Sequence, residues 1–400
     1  MTATRKKVVV AYSGGLDTSY CLSYLRKERE FDVISVTVDT GGFKPGEIAA
    51  LEARARNLKV IEHITVPGRE KVYAKYVTTI IRGNVLRGNV YPLCVAAERV
   101  TQAEEVAAIA KARKADAVAH GSTGAGNDQI RFDVAFQVLI PSIPSLAPIR
   151  ELGLSRAQEY EYLKREGIEI DPTVKDYSIN TGLWGATIGG KETHDPWRDI
   201  PEEVWPSTTS PDTPPRDIVL DFEQGLPTAL DGARMSGTDI IAALGRLDAA
   251  YGFGRGIHLG DTVLGIKGRV AFQAGAALLL IAAHRELEKL ALTGWQRFWK
   301  DHVSDFWGKL LHEAQVFDPV MNDMRALIDS SQEHVTGEVR VKLAPGRFFV
   351  TGVKSPFNMM RKESGTYGEA MRLWDGRDAE GFGRILGIPG RLANQAGAQQ

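Results

Sequence analysis

The residues best suited to chemistry lie in one loop near the start of the chain, Ala11-Tyr12-Ser13-Gly14-Gly15-Leu16-Asp17-Thr18-Ser19. Two adjacent glycines let the backbone approach a phosphate group closely, and the hydroxyl groups add hydrogen-bond donors. The apolar stretch Val8 to Tyr12 predicts a buried strand before the loop, and Thr18 to Arg29 predicts a helix after it. A helix N-terminus favours an anion through its free N–H groups and its dipole. The loop therefore predicts a phosphate cradle, in which Asp17 faces Mg²⁺ or orients a donor.

The loop differs from the two commonest nucleotide-binding motifs. It holds no lysine, so it is not a Walker A motif, and Gly260 to Lys267 is only a near miss for one. Gly252-Phe253-Gly254 does not complete a dinucleotide-binding fingerprint. The pattern Ser-Gly-Gly-x-Asp-x-Ser after a first strand instead resembles the PP-loop ATP pyrophosphatases, which cleave ATP between the α and β phosphates. The alternative is an ordinary strand-to-helix turn with a Ser/Asp cap.

A second glycine-rich loop, from Ala119 to Phe132, also lies between a predicted strand and a predicted helix. Its polar residues Thr123, Asn127, Asp128 and Arg131 form a compact set suited to an amino acid. The Asp128 carboxylate can meet an ammonium group, and the Arg131 guanidinium can meet a carboxylate or a phosphate. On spacing alone, a capped turn would explain half of this pattern.

Alternating strand and helix patterns in the first third of the chain predict a parallel sheet covered by helices. After the first strand and helix, the predicted strands are 32–39, 59–66 and 116–121, and the predicted helices are 47–58, 69–81 and 98–114. Ser155 and Gln158 predict a capping box for a helix that ends at Glu166.

The pattern changes near residue 171. Six prolines between Pro196 and Pro215 predict an irregular arm or an interdomain crossing. The elements predicted beyond it are a hairpin over 218–230 closed by Asp231-Gly232, a helix after Ser236, a strand over 261–272, helices over 275–291, 294–314 and 319–334, and a hairpin over 337–353 that turns at Pro345-Gly346. They indicate an α+β second domain, followed by a short tail after Gly376 that is expected to pack as a helix on another subunit.

One helix of this second part has an aromatic face. Its residues fall at i, i+3 and i+4 spacing, which predicts a core or an oligomer seam rather than a cofactor site. They are Trp295, Phe298, Trp299, His302, Phe306 and Leu310.

Composition excludes several classes of protein. Lys and Arg number 49 against 50 Asp and Glu, a net charge of −1, which argues against holding nucleic acid by bulk charge. Cys21 and Cys94 are too few for a disulfide framework or a Cys-rich metal site, and they fit a reducing cytosol. The most apolar stretch, Ala274 to Ala283, is too short to span a bilayer. We therefore expect a cytoplasmic protein with neither nucleic-acid nor membrane partners and no protein-built metal site.

Over most of its length the chain resembles the argininosuccinate synthase family. The run Gly-Asn-Asp-Gln-Ile-Arg-Phe in the second loop is the most specific match. The other matching segments are Tyr91-Pro92-Leu93, Ala147-Pro148-Ile149-Arg150-Glu151, Tyr177-Ser178-Ile179-Asn180, Asp195-Pro196-Trp197 and Gly265-Ile266-Lys267-Gly268-Arg269. The resemblance implies an α/β fold with a PP-loop nucleotide-binding domain (adenine nucleotide alpha hydrolase-like) over 1–170, a synthetase and multimerisation domain over 171–375, and an oligomerisation tail over 376–400.

The resemblance also implies an AMP-forming carbon–nitrogen ligase of arginine biosynthesis. Transfer of AMP from ATP to the ureido oxygen of L-citrulline releases pyrophosphate, and the L-aspartate amine then attacks the activated carbon. Mg²⁺ accompanies ATP, the enzyme is a homotetramer, and no residue is assigned as the general base. Catalysis would be mainly positioning and charge stabilisation.

The resemblance carries over to individual positions of this sequence. The residues implied for ATP are Ala11 to Ser19, Val38 and Gly121. Those implied for aspartate are Thr123, Asn127 and Asp128, and those implied for citrulline are Tyr91, Asn127, Arg131, Ser178, Thr187 and Asp261.

Departures from the family pattern cluster on the citrulline side. Ala96 stands in place of a serine, Gly182 in place of an asparagine and Phe272 in place of a tyrosine, and Gly260-Asp261 lies where a glutamate is usual. Two alternatives therefore stay open: a paralogue that joins aspartate to another ureido or amide acceptor, and a catalytically inactive nucleotide-binding protein. The intact Ser13 to Asp17 loop disfavours the inactive alternative.

Overall fold

A computed structural model describes residues 5–168, 177–207 and 212–398. The chain forms two compact units, 1–355 and 356–400. The predicted boundary at 170/171 lies outside the described residues, as does the stretch 208–211 of the proline-rich segment. The three predicted domain ranges therefore stay predictions.

A five-stranded, all-parallel sheet organises the first part of the chain, as predicted. Its strands are β1 (Lys7–Ala11), β2 (Asp32–Asp39), β3 (Glu62–Pro67), β4 (Ala117–Ala119) and β5 (Ser145–Leu146). The strand order is β3-β2-β1-β4-β5. The chain adds β2 and β3 on one side of β1 and then crosses to the other side to form β4 and β5. The strand order therefore reverses between β1 and β4, and the loops after these two strands lie side by side at this switch point. In such sheets, ligands bind in the crevice outside the carboxyl ends of the strands.

Helices cover both faces of this sheet. They are α1 (Leu16–Lys27), α2 (Glu47–Asn57), α5 (Ala96–Ala112), α6 (Asp128–Leu139), α7 (Pro148–Leu152) and α8 (Arg156–Arg165). The short helices α3 (Arg69–Val72) and α4 (Thr78–Arg82) pack in a separate apolar cluster. Val8 and Val10 of β1 pack in one apolar cluster with α1, whereas Val9 packs in another with α5 and α6. This alternation follows from the period of two along a strand. The capping box at Ser155 is confirmed, and the predicted helix 69–81 contains a π-helical turn, Tyr73–Val77.

Antiparallel sheets build the second part of the chain. One has the order β11-β12-β7-β6 and consists of β6 (Tyr177–Gly182), β7 (Gly185–Gly190), β11 (Arg255–Asp261) and β12 (Lys267–Gln273). The other has the order β10-β9-β8-β13-β14 and consists of β8 (Arg216–Glu223), β9 (Leu226–Leu230), β10 (Ala233–Arg234), β13 (Gly337–Ala344) and β14 (Arg347–Lys354). The accompanying helices are α9 (Gly237–Tyr251), α10 (Gly275–Ala291), α11 (Gly294–His312) and α12 (Val320–Ser330).

Two turn predictions in this part are wrong. The range 261–272, predicted as a single strand, instead contains a turn and most of β12, because the chain reverses between Asp261 and Lys267, which pair with each other. The first hairpin reverses at Gln224-Gly225, where both residues have positive φ, and Asp231-Gly232 instead joins β9 to β10. The turn at Pro345-Gly346 is confirmed.

The predicted core or oligomer helix, α11, turns its aromatic side chains largely toward the surface of this chain. Trp295, Trp299 and Phe306 are 77%, 61% and 48% exposed. They do not form a core of the 1–355 unit, and the oligomer seam stays a prediction. Cys21 and Cys94 are both buried, as expected for small core residues.

The 356–400 unit carries a short two-stranded sheet and two helices. These are β15 (Gly365–Thr366), β16 (Ala370–Met371), α13 (Gly376–Leu386) and α14 (Ile388–Gly397). The single helix expected after Gly376 is thus two helices that meet at Gly387. Throughout the described parts of the chain, no helix combines the length and apolarity needed to cross a membrane.

Candidate active site

A cavity of about 1020 Å³ opens at the carboxyl ends of β1 and β4. The phosphate loop and the second glycine-rich loop line one side, and residues of β6, β7, β11 and β12 line the other. The two predicted motifs, although about 100 residues apart in sequence, therefore face the same space.

Most of the phosphate loop lines this cavity. The lining residues are Ala11, Tyr12, Ser13, Gly15, Leu16, Asp17 and Thr18. The hydroxyl groups of Ser13 and Thr18 lie 3.2 Å apart, and Thr18 Oγ1 donates to the carbonyl of Gly15 at 3.3 Å. Arg54 of α2 donates to the carbonyl of Gly14 at 2.5 Å. Ser19 is fully buried beneath the loop and does not line the cavity.

Gly121 brings the two loops together. A Cβ atom at this position would lie 3.0 Å from Thr18 Cγ2 and 3.1 Å from the Thr18 backbone nitrogen. Both distances are shorter than an ordinary van der Waals contact, so a side chain here would press on Thr18, whereas glycine allows the close approach of the two loops. Val38, on the neighbouring strand β2, also lines the cavity.

A chain of hydrogen bonds holds the second loop in shape. Gln129 donates to the carbonyl oxygens of Gly124 at 2.5 Å and Gly126 at 3.2 Å. Arg150 donates to the side chains of Gln129 and Asp133 at 3.0 and 2.6 Å. The backbone of this glycine-rich loop is therefore ordered by side chains from α6 and α7.

Asp128 is the charged centre of the second loop. Its two carboxylate oxygens accept from Arg99 Nε at 2.9 Å and Arg131 Nη1 at 2.7 Å. Burial alone would raise the pKa of Asp128, but the two guanidinium groups lower it to about 2. Arg99 also donates to Asn180 Oδ1 at 2.6 Å and so connects α5 to β6. Asp128 is thus an ionised carboxylate at neutral pH.

The predicted citrulline residues also line the cavity, on elements far apart in sequence. They are Tyr91 before α5, Asn127 and Arg131 at the start of α6, Ser178 on β6, Thr187 on β7 and Asp261 at the end of β11. Arg131 is buried and donates to the carbonyl of His312 at 3.0 and 3.3 Å. Asp261 is exposed and pairs with Lys267 at 2.6 Å.

Two of the departures from the family pattern have a local explanation. A Cβ atom at Gly182 would lie 1.9 Å from Glu98 Oε2, so the Glu98 carboxyl group occupies the space of a side chain at 182. Burial raises the pKa of Glu98 to about 8, against the effect of the Trp184 N–H group that donates to it. Ala96 is buried and is not a cavity residue. Neither position changes the cavity wall directly.

Sequence reasoning missed several residues of the site. Arg54 and Arg99 support the two loops. Arg87, His258 and His312 line the wall of the predicted citrulline residues, called here the acceptor side. Arg99 lies six residues after the quoted Tyr91-Pro92-Leu93 segment, in the first turn of α5, and this proximity could have signalled it. His258 had no such signal, because it lies on β11, which precedes the strand predicted over 261–272 and is not itself predicted.

Two carboxyl groups flank the phosphate loop. Asp17 and Glu159 both line the cavity, and Glu159 is 1% exposed, with its Oε2 lacking a hydrogen-bond partner among the described residues. Burial and the neighbouring Asp17 raise the pKa of Glu159 to about 8. In the described ranges, no three His, Cys, Asp or Glu side chains group as a metal site.

Comparisons with known proteins match nearly the whole chain. Residues 7–169 match the model of the arginosuccinate synthase N-terminal HUP domain, and residues 177–393 match that of the arginosuccinate synthase C-terminal domain. The argininosuccinate synthase of Methanocaldococcus jannaschii is 38% identical over 96% of this chain and 97% of its own length. That of Acaryochloris marina is 38% identical over 98% of both chains, and that of Pyrobaculum aerophilum 37% identical over 94% of this chain and 95% of its own length.

Proposed function

Because the chain belongs to the argininosuccinate synthase family, we propose that its large cavity is the active site in which ATP, citrulline and aspartate react. The protein is an ATP-dependent ligase that condenses citrulline with aspartate to give argininosuccinate, AMP and pyrophosphate. The observation that carries the assignment of the site is the convergence of the phosphate loop and the second glycine-rich loop on one cavity.

The phosphate loop is the site for ATP. Backbone N–H groups at the start of α1 and the hydroxyl groups of Ser13 and Thr18 hold the phosphates, while Val38 and Gly121 border the nucleoside. The ureido oxygen of citrulline attacks the α-phosphate, and pyrophosphate leaves. The oxygen, a poor leaving group by itself, is thereby converted into one that departs as AMP.

The second loop holds aspartate, and the opposite wall holds citrulline. Thr123, Asn127 and Asp128 orient aspartate so that its amine attacks the activated ureido carbon. The citrulline residues are Tyr91, Asn127, Arg131, Ser178, Thr187 and Asp261. Positioning of three substrates in one cavity supplies most of the rate enhancement, because each step then becomes effectively unimolecular.

Mg²⁺ binds with ATP beside the phosphate loop. Asp17 and Glu159 would hold it, since a buried carboxylate oxygen with no hydrogen-bond partner among the described residues suits a hard cation. The ion would neutralise charge on the departing pyrophosphate. Mg²⁺ would favour the ionised form of Glu159, although burial and the neighbouring Asp17 raise the pKa of that carboxyl group to about 8 without the ion.

The assembly is a homotetramer in the cytoplasm. Support for self-association comes from the exposed aromatic face of α11. Light scattering in solution should give four times the chain mass. Trp299→Lys should lower that mass, whereas Lys309→Gln on the same helix should leave it unchanged; a wild-type monomer would contradict the proposal.

The reaction is tested by measuring AMP, pyrophosphate and argininosuccinate after incubation with Mg²⁺ and the three substrates. We expect argininosuccinate only when all three are present. Failure to release pyrophosphate from ATP with any acceptor would contradict the assignment of the cavity as a ligase site.

A further inference from the structure

We propose that the acceptor side of the cavity does not select for an ammonium group, and that it takes ureido carboxylic acids that lack one. This inference rests on the proposed ligase function and concerns its acceptor. It follows from the position of His258 and from the charges around it.

His258 occupies the space in which a side chain at position 260 would lie. A Cβ atom at Gly260 would be 2.6 Å from His258 Nε2, and one at Gly88 would be 3.0 Å from His258 Cε1. The imidazole stacks on Tyr91, with ring centroids 5.7 Å apart and planes inclined by 16°. Position 260 therefore cannot carry a carboxylate while His258 keeps this place, and the cavity wall beside Tyr91 is an imidazole.

The nearby carboxylates are already paired. Five carboxyl groups line the cavity among the described residues, and three of them, Asp17, Glu47 and Glu159, belong to the phosphate-loop side. Asp128 is held by two guanidinium groups, and Asp261 pairs with Lys267. An ammonium group brought to the acceptor side would lose water without gaining a free counter-charge, which is unfavourable.

Arginine side chains supply the positive charge of the same wall. Arg87 donates to the carbonyl of Asp261 at 2.7 Å and forms no ion pair with the described residues of the chain. Arg131 forms an ion pair with Asp128. The imidazole of His312 packs beside Arg131, with its Nδ1 atom 3.4 Å from Arg131 Nη2. A carboxylate on the acceptor finds complementary charge here, whereas an ammonium group finds repulsion from Arg87.

The test compares two acceptors that differ only in the amine: L-citrulline and δ-ureidovalerate, which is citrulline without its α-amino group. Pyrophosphate release is measured with saturating Mg-ATP and aspartate. A site built around the ammonium would reject the analogue by about 100-fold or more. We expect kcat/KM for δ-ureidovalerate to be at least about a tenth of that for citrulline.

A value below that tenth, with citrulline active, overturns the inference and leaves the ligase function intact. Release with neither acceptor overturns the ligase function itself. The two failures are thus distinguishable in one wild-type preparation.

A variant tests whether His258 sets this property. His258→Glu places a carboxylate against Tyr91, and we expect it to raise the preference for citrulline over δ-ureidovalerate by about tenfold or more. His334→Asn, which replaces an exposed histidine between α12 and β13 that does not line the cavity, should leave the preference unchanged. An unchanged preference in a folded His258→Glu protein overturns the role of His258; should that variant not fold, the wild-type comparison still decides the inference.

Discussion

The two sides of the cavity are built in different ways. The phosphate side comes mainly from consecutive residues, since Ala11 to Thr18 form one strand-to-helix loop that Gly121 approaches closely. The acceptor side comes from separate elements that contribute one or two side chains each, from Tyr91 to His312. The phosphate-binding groups of a contiguous loop can be recognised in one stretch of sequence. The binding properties of a wall built from separate elements change when a single contributing residue is substituted.

The phosphate side should therefore fail as a unit. Gly121→Val drives a side chain into Thr18, and we expect the rate of pyrophosphate release to fall by at least about 100-fold, because the two loops can no longer approach. Gly245→Val, on α9 where a Cβ meets nothing within 4 Å, is the matched control. Activity within a few-fold of wild type in Gly121→Val would mean that close approach of the loops is not required.

Substitution of Arg99, which links the second loop to β6, should have an intermediate effect on activity. Arg99 pairs with Asp128 of the second loop and with Asn180 of β6, so Arg99→Met removes a buried charge from both. We expect kcat/KM for aspartate to fall by about tenfold or more, while ATP affinity changes little. Arg113→Met, which removes an exposed pair with Glu62 at the end of the same helix, should have almost no effect. Equal losses in the two variants would show that the link is not specific.

Near the acceptor side, the buried residue Glu98 should affect the pH dependence of stability rather than activity. Glu98 keeps its proton in the folded protein up to a pKa of about 8, although its ordinary value is 4.5. Since the folded state then binds the proton more tightly than the unfolded chain, stability falls as the pH rises from about 5 to 8. Glu98→Gln removes this dependence.

Thermal unfolding measures that effect. At about pH 8.5 we expect the Tm of Glu98→Gln to exceed that of wild type by about 2–4 °C, with no gain at about pH 5. The exposed Glu203→Gln should show no such pH-dependent gain. A gain of equal size at both pH values would indicate improved packing rather than the loss of a titrating group.

The same contrast explains what could be predicted from sequence. The first four strands of the parallel sheet, the capping box at Ser155 and the helix 275–291 follow from local patterns, and the structure confirms them. The short strand β5 is not among the predicted strands. The reversals at Gln224-Gly225 and between Asp261 and Lys267 were missed. Neither contains a strong turn dipeptide, and both are defined by the pairing of the strands on either side.

The site divides along the same line. Both glycine-rich loops face the cavity as the motifs predict, although Ser19 lies beneath its loop. The position of His258 in the cavity could not be predicted, because it depends on three features outside its local sequence pattern. These are the pairing of β11 with β12, the absence of a side chain at Gly260 and the ring of Tyr91. The roles assigned to individual substrate-binding residues stay predictions.

A hydrogen bond between the second loop and the β11–β12 turn has a thermodynamic consequence. Asn127 Oδ1, at the end of the second loop, accepts from the backbone N–H of Val263 in the turn between β11 and β12, at 3.0 Å. A ligand that orders either segment thereby removes part of the conformational entropy that the other must lose. Aspartate and the acceptor should therefore bind with positive cooperativity, and the coupling is reciprocal by linkage.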